Sequence, residues 1–215
     1  MAERDLAAVA DGETPNPSFL LRLSPALDLN AADLFAIAQV EPPDELTPLD
    51  PKAGRTIPQI VGSAARLSPK GSAELRQYVD ALPRHTRERR PAVPSPVWER
   101  YSPGVGAVLV CMLKNRNLGR STAARVLSRL AGVHLSPATI GAIGHGRKDL
   151  TIDLLVAFAT VLGIQIGDLT AVAAIEETLP AQEPTMSGLI WQLRDLTMEQ
   201  AGDVHQKAIS LADQS

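Results

Sequence analysis

One cysteine, Cys111, and seven aromatic side chains (Trp 2, Tyr 2, Phe 3) are all that this 215-residue chain holds of either class. A single thiol excludes a disulfide framework within the chain, is too few for a cysteine-built zinc site, and fits a reducing compartment. Long apolar runs are missing as well. The longest, Val105 to Leu113, is about half of the ~20 residues that a membrane-spanning helix needs. The first twenty residues carry Glu3, Arg4, Asp5, Asp11 and Glu13 and do not read as a signal peptide. A soluble, cytoplasmic protein is therefore expected. The four histidines, His85, His134, His145 and His205, lack metal-ligand spacing, so no metal or other cofactor is expected. There is no nucleophile with an adjacent base and no glycine-rich phosphate loop, Gly104-Val-Gly106 being too short, so an enzyme is not expected.

The chain also lacks a charge of one sign: its net charge is only −3. That average conceals a division. From Arg84 to Lys148 there are 12 basic residues (Arg84, Arg87, Arg89, Arg90, Arg100, Lys114, Arg116, Arg120, Arg125, Arg129, Arg147, Lys148) against Glu88 and Glu99, a balance of +10 that leaves −13 for the remainder. Such asymmetry points to an anionic partner for the middle of the chain.

Period-two alternation is absent, and apolar residues recur at three- and four-residue spacing, as in Leu189, Ile190, Leu193 and Leu196, so the expected class is all-α. Proline punctuates the chain. Pro83, Pro91, Pro94, Pro96 and Pro103 surround the Arg84–Arg90 charge run, and the composition reads as an extended linker over 84–102. A second break lies at Leu179 to Pro184. After the linker the pattern predicts five short helices near 104–117, 121–131, 137–144, 152–162 and 166–174. The third is announced by Ser136-Pro137, a hydroxyl N-cap followed by proline at the first helical position, and Gly146 supplies a left-handed residue at its end.

Two gapless internal matches add to this. Residues 19–40 align on 154–175 at an offset that carries Asp33 onto Asp168, with Leu20/Leu155, Leu27/Leu162, Leu34/Leu169, Ala36/Ala171 and Ala38/Ala173 identical. Residues 56–67 then align on 185–196 at an offset that carries Leu67 onto Leu196, and Leu75, Val79 and Leu82 match Val204, Ala208 and Leu211. Each segment reads as a helical hairpin, with Ser68 and Thr197 as N-caps. The expected organisation is a flexible tail (1–16), a partial module with a hairpin (17–83), the linker (84–102), a complete module (103–176) and a C-terminal hairpin (185–212).

One stretch carries a specific motif. Ser136-Pro-Ala-Thr139-Ile140-Gly-Ala-Ile143-Gly-His-Gly146-Arg147-Lys148 leads to Thr151 and then to Ala159, Leu162-Gly163-Ile164 and Asp168-Leu169. This pattern resembles the helix-turn-helix domain of phage-repressor-type regulators, the XRE (Cro-like) family, over about 70 residues. More narrowly it is similar to actinobacterial regulators that pair such a domain with an Ala-Ala-Asp-Leu-Phe segment near the N-terminus. The resemblance implies a five-helix domain, double-stranded DNA as partner, and a recognition helix near 137–144 that follows a helix near 121–131. Residues placed at the DNA are Lys114, Arg116, Arg120, Arg125, Ser136, Ala138, Thr139, Ala142, His145, Arg147 and Lys148. The sequence departs from the family twice. Ser121 to Leu135 is about four residues longer than usual, and Pro137, Ala138, Gly141 and Ala142 stand where base-reading polar side chains are common. A transcription regulator is expected; the alternative is a protein-interaction adaptor that uses the small residues Ala138, Gly141, Ala142 and Gly144 as a docking face.

The C-terminal hairpin carries an apolar stripe of Leu189, Ile190, Leu193, Val204 and Leu211 with Trp191 beside it. Two helices alone cannot bury such a stripe. A homodimer interface through these residues is expected, since repressor-type domains read half-sites about 34 Å apart; packing on the chain's own first hairpin is the alternative.

Overall fold

The protein is described by a computed structural model covering residues 2–86, 96, 99–175 and 186–214, with side chains from Asp5 onward. Among these residues all regular structure is helical: twelve α-helices and three short 3-10 turns. No helix among them is long and apolar enough to cross a membrane. The fold is all-α. The chain divides into two compact units, 1–47 and 48–215. Most of the proline- and arginine-rich stretch between 84 and 102, and the break at 179–184, lie outside the described residues.

In the first unit α1 (Ala2–Ala10) occupies most of what the sequence suggests is a tail. Its alanine-rich composition favours a helix, and Asp5 pairs with Arg22 at 3.1 Å. Helix α2 (Pro17–Leu23) starts under the Asn16 side chain, which accepts from the Ser18 amide, and tightens into a 3-10 turn, Ser24–Leu27. Helix α3 (Ala31–Ile37) follows. Leu20, Leu34 and Phe35 form the core of this unit, with Leu23, Leu29, Ile37, Val40 and Leu46 packed around it.

The second unit opens with α4 (Ile57–Ala64) and α5 (Pro69–Asp80). Five helices follow: α6 (Val105–Asn115), α7 (Arg120–Ala131), α8 (Pro137–Gly144), α9 (Ile152–Leu162) and α10 (Ile166–Val172). Their bounds agree with the sequence pattern to within two residues. Helix α6 crosses α8 and α9, α7 lies against α8 and α9, and α9 holds α10. Helices α11 (Ser187–Leu193) and α12 (Met198–Ala212) complete the chain. The sequence sets apart 17–83, 103–176 and 185–212, whereas the structure divides the first of these after residue 47 and packs the helices of the rest as one body: α4 on α7, α11 on α9, and α12 on α4 and α5.

The stripe expected at a dimer interface is spent within the chain. Leu189, Ile190, Leu193, Val204 and Leu211 are all buried in the single chain, so these side chains are corrected from intermolecular to intramolecular core. At about 2 kcal/mol each they contribute about 10 kcal/mol gross, comparable with the whole net stability of a domain. A hairpin with that stripe exposed would not persist.

The internal matches extend to backbone geometry. At the first offset, α3 and α10 have corresponding bounds, and α2 with its 3-10 turn corresponds to α9. The left-handed residues coincide as well: Asp28 (φ 51°) with Gly163 (φ 67°), and Gln39 (φ 55°) with Ala174 (φ 53°). A left-handed alanine or glutamine costs roughly 1 kcal/mol, so its recurrence at matched positions reflects the same terminating turn, closed by Val40 N–H to Phe35 O in one segment and Ile175 N–H to Thr170 O in the other.

Candidate nucleic-acid interface

Helix α8 is placed by its ends and by glycine. The Ser136 hydroxyl accepts from the Thr139 amide at 3.0 Å and lies 2.9 Å from the Thr139 hydroxyl, so both polar groups at the helix start are engaged in capping. Close packing fixes the other face. A β-carbon at Gly106 of α6 would collide with the Ile143 carbonyl, and one at Gly144 would lie 2.6 Å from the Tyr101 ring. Gly141 makes room for the Arg120 guanidinium, whose Nη1 would lie 2.8 Å from an added β-carbon. Gly141 and Gly144 are thus buried within the chain, which removes two of the four small residues from any docking face.

Ala138, Ala142 and the C-cap His145 fall at the i, i+4, i+7 spacing that shares one helical face; Ala138 is exposed and the other two half-buried, with Ser136 exposed and Thr139 half-buried beside them. The His145 ring stands edge-on to Tyr101, 4.8 Å between centroids. After the left-handed Gly146, Arg147 and Lys148 are exposed. On the other side the half-buried Arg120 starts α7, and the exposed Arg125 directs its Nε toward the Ser121 carbonyl at 3.4 Å. Four cations adjoin α8: Arg120 against the buried Gly141, Arg125 in a cleft that Pro137 also lines, and the exposed Arg147 and Lys148 just past the helix C-terminus.

The longer turn after α7 is ordered by Ser128, whose hydroxyl lies 2.8 Å from Nδ1 of His134. It leaves an open cleft of about 460 Å³ beside the start of α8, lined by Ser121, Arg125, Ser128, Arg129, His134 and Pro137 among others. Arg129 is committed elsewhere, donating to the Pro58 carbonyl of α4. Lys114 is half-buried, 2.8 Å from the Glu99 carboxylate and 5.6 Å from the Tyr101 ring, so its charge is largely answered within the chain. Burial, opposed by the Arg120 charge, pushes the Tyr101 hydroxyl above its ordinary range.

Arg116 is the clear correction. Its side chain is 0% exposed and cannot meet a phosphate. One guanidinium nitrogen donates to the Met112 carbonyl at 2.9 Å and another to the Leu162 carbonyl at 2.5 Å. These are terminal carbonyls of α6 and α9, groups that have no partner inside their own helices. The guanidinium also lies 5.1 Å from the Trp191 ring centroid, with Arg194 at 4.2 Å from the same ring. Through Arg116, Trp191 thus joins α11 to the ends of α6 and α9, while Arg194 stacks on the ring from its own helix end. The Arg194 role and the Tyr101 packing were missed in the sequence; an aromatic just ahead of α6 and the single tryptophan in α11 were the available signals.

Set against family models, curated proteins and solved structures, the chain matches none of them.

Proposed function

We propose that residues 103–176 are a repressor-type helix-turn-helix domain and that the protein is a transcription regulator, inserting α8 into the major groove of double-stranded DNA. The observation that carries this reading is the N-capped α8 with an exposed start and cations near both of its ends, Arg125 beside Pro137 and Arg147 with Lys148 beyond Gly144. A major groove about 12 Å wide admits such a helix, and cations at its ends suit the flanking phosphates. Ala138 and Ala142 offer methyl groups to thymine methyls, while Thr139 and His145 provide limited polar readout. Specificity then leans on DNA shape and backbone approach.

The test is fluorescence anisotropy with labelled random-sequence duplexes of about 30 bp, between about 50 and 200 mM salt. With four phosphates neutralised, the slope of log K against log salt is about −3.6 and affinity falls about 150-fold over that range. Replacing Arg147 and Lys148 together by Ala flattens the slope by about 1.8 without changing the melting temperature. Absence of salt-dependent binding, or a double variant that binds as wild type does, overturns the reading. Recovery of a stoichiometric protein partner under those conditions would favour the adaptor role instead.

A further inference from the structure

The two hairpins do more than touch. Each packs chiefly on the other: α12 lies on both α4 and α5, and α11 on α5 and α4. Residues related by the second offset fill corresponding buried places, Ile60 with Leu189, Val61 with Ile190, Ala64 with Leu193, Leu75 with Val204 and Val79 with Ala208. Their caps correspond too. The Ser68 hydroxyl accepts from the Gly71 amide at 3.2 Å and the Thr197 hydroxyl from the Gln200 amide at 3.2 Å. Polar contacts close the edges: Lys207 to Glu74 at 2.5 Å, Gln192 to Asp80 at 2.7 Å, and Gln200 to the Pro83 carbonyl at 2.8 Å.

Two like elements that bury offset-related residues on one another resemble the two halves of a dimer interface, though the pairing is unequal, with α4 against α12 the larger contact and α5 against α11 the smaller. Here both patches belong to one chain. We propose that the 56–82 hairpin fills, in cis, the place that the 185–212 hairpin of a second copy would otherwise take, so that the protein works as a monomer and engages a single, non-palindromic DNA half-site. The DNA part rests on the proposed function; the pairing in cis does not. It assigns a role to the 56–82 hairpin: it supplies the pairing surface.

The full-length protein is mixed as heavy-nitrogen-labelled and unlabelled populations, refolded together and treated with a zero-length carbodiimide that joins Glu74 to Lys207. Light scattering is run in parallel over about a hundredfold range of concentration. Expected are a constant mass of 22.9 kDa and Glu74–Lys207 cross-links with both halves from one isotopic population. A mass twice that overturns the monomer, and cross-links of mixed isotopes, as an exchanged dimer would give, overturn the pairing in cis. Duplexes selected from a random pool should carry one motif and bind one chain each. Inverted repeats spaced about one helical turn apart with two chains bound would overturn the half-site assignment. A monomer with cross-links in cis that binds no duplex would retire the DNA reading while leaving the pairing intact.

Discussion

Arg116 separates a phosphate contact from a structural strut by a measurable margin. Replacing it with Met keeps the aliphatic stem and removes the guanidinium, leaving the Met112 and Leu162 carbonyls without their donor and Trp191 without one of its two cations. Each lost charge-assisted hydrogen bond is worth about 1.5 kcal/mol or more, and the desolvated cation–π contact about 1–2 kcal/mol. Relief from burying a charge offsets part of this. The net loss is about 3 kcal/mol, which for a unit of this size lowers the melting temperature by about 6–12 °C. An arginine that only touches phosphate would change stability by less than about 0.5 kcal/mol and flatten the salt slope by about 0.9. Thermal unfolding followed by far-ultraviolet circular dichroism, with anisotropy on the remaining folded protein, reads both quantities. An Arg116→Met melting temperature within about 2 °C of wild type, together with a flattened salt slope, would refute the placement of this side chain.

Gly106→Ala forces a methyl group into the Ile143 carbonyl. Backbone meets backbone there and neither side chain can yield, so a loss of more than about 3 kcal/mol is expected; an unchanged urea midpoint would contradict the α6–α8 crossing. Burial pushes the Cys111 thiol up from its ordinary value of 9.0, with Lys114 opposing. The folded chain then holds this proton more tightly than the unfolded chain. The stabilising contribution is full below 9.0 and declines as pH rises through that value and beyond. The drop in urea midpoint between about pH 8 and pH 10 should therefore shrink in Cys111→Ala, and equal drops in the two proteins would count against it.

The local structure was legible because it is written in local chemistry. Ser68, Ser136, Thr151 and Thr197 each cap a helix with their own hydroxyl, and such signals need no knowledge of the tertiary fold. The internal offsets were equally visible and reappear in matched helix bounds and left-handed residues. Pairing across the chain was not. Charge counting placed Arg116 with the other cations because nothing near it announces that its acceptors are two helix ends, one of them 46 residues away. The stripe on α11 and α12 revealed an apolar face but not its cover, since periodicity identifies a surface and says nothing of which surface meets it. At α8 the sequence found the helix and its flanking cations, while the burial of Gly141 and Gly144 depended on Arg120 and Tyr101, residues set outside the motif.

The order of synthesis gives the paired hairpins a temporal consequence. Helices α4 and α5 are made about 130 residues before α11 and α12 that cover them. At roughly 5–20 residues per second, Ile57, Ile60, Val61 and Leu75 wait about 6–26 s for their partners. During that interval the nascent chain carries half of an interface whose other half, α11 and α12, is not yet made. Every ribosome in a polysome translating this message would display the same uncovered stripe beside its neighbours. Each stripe stays open to such neighbours until α11 and α12 of its own chain emerge to cover it.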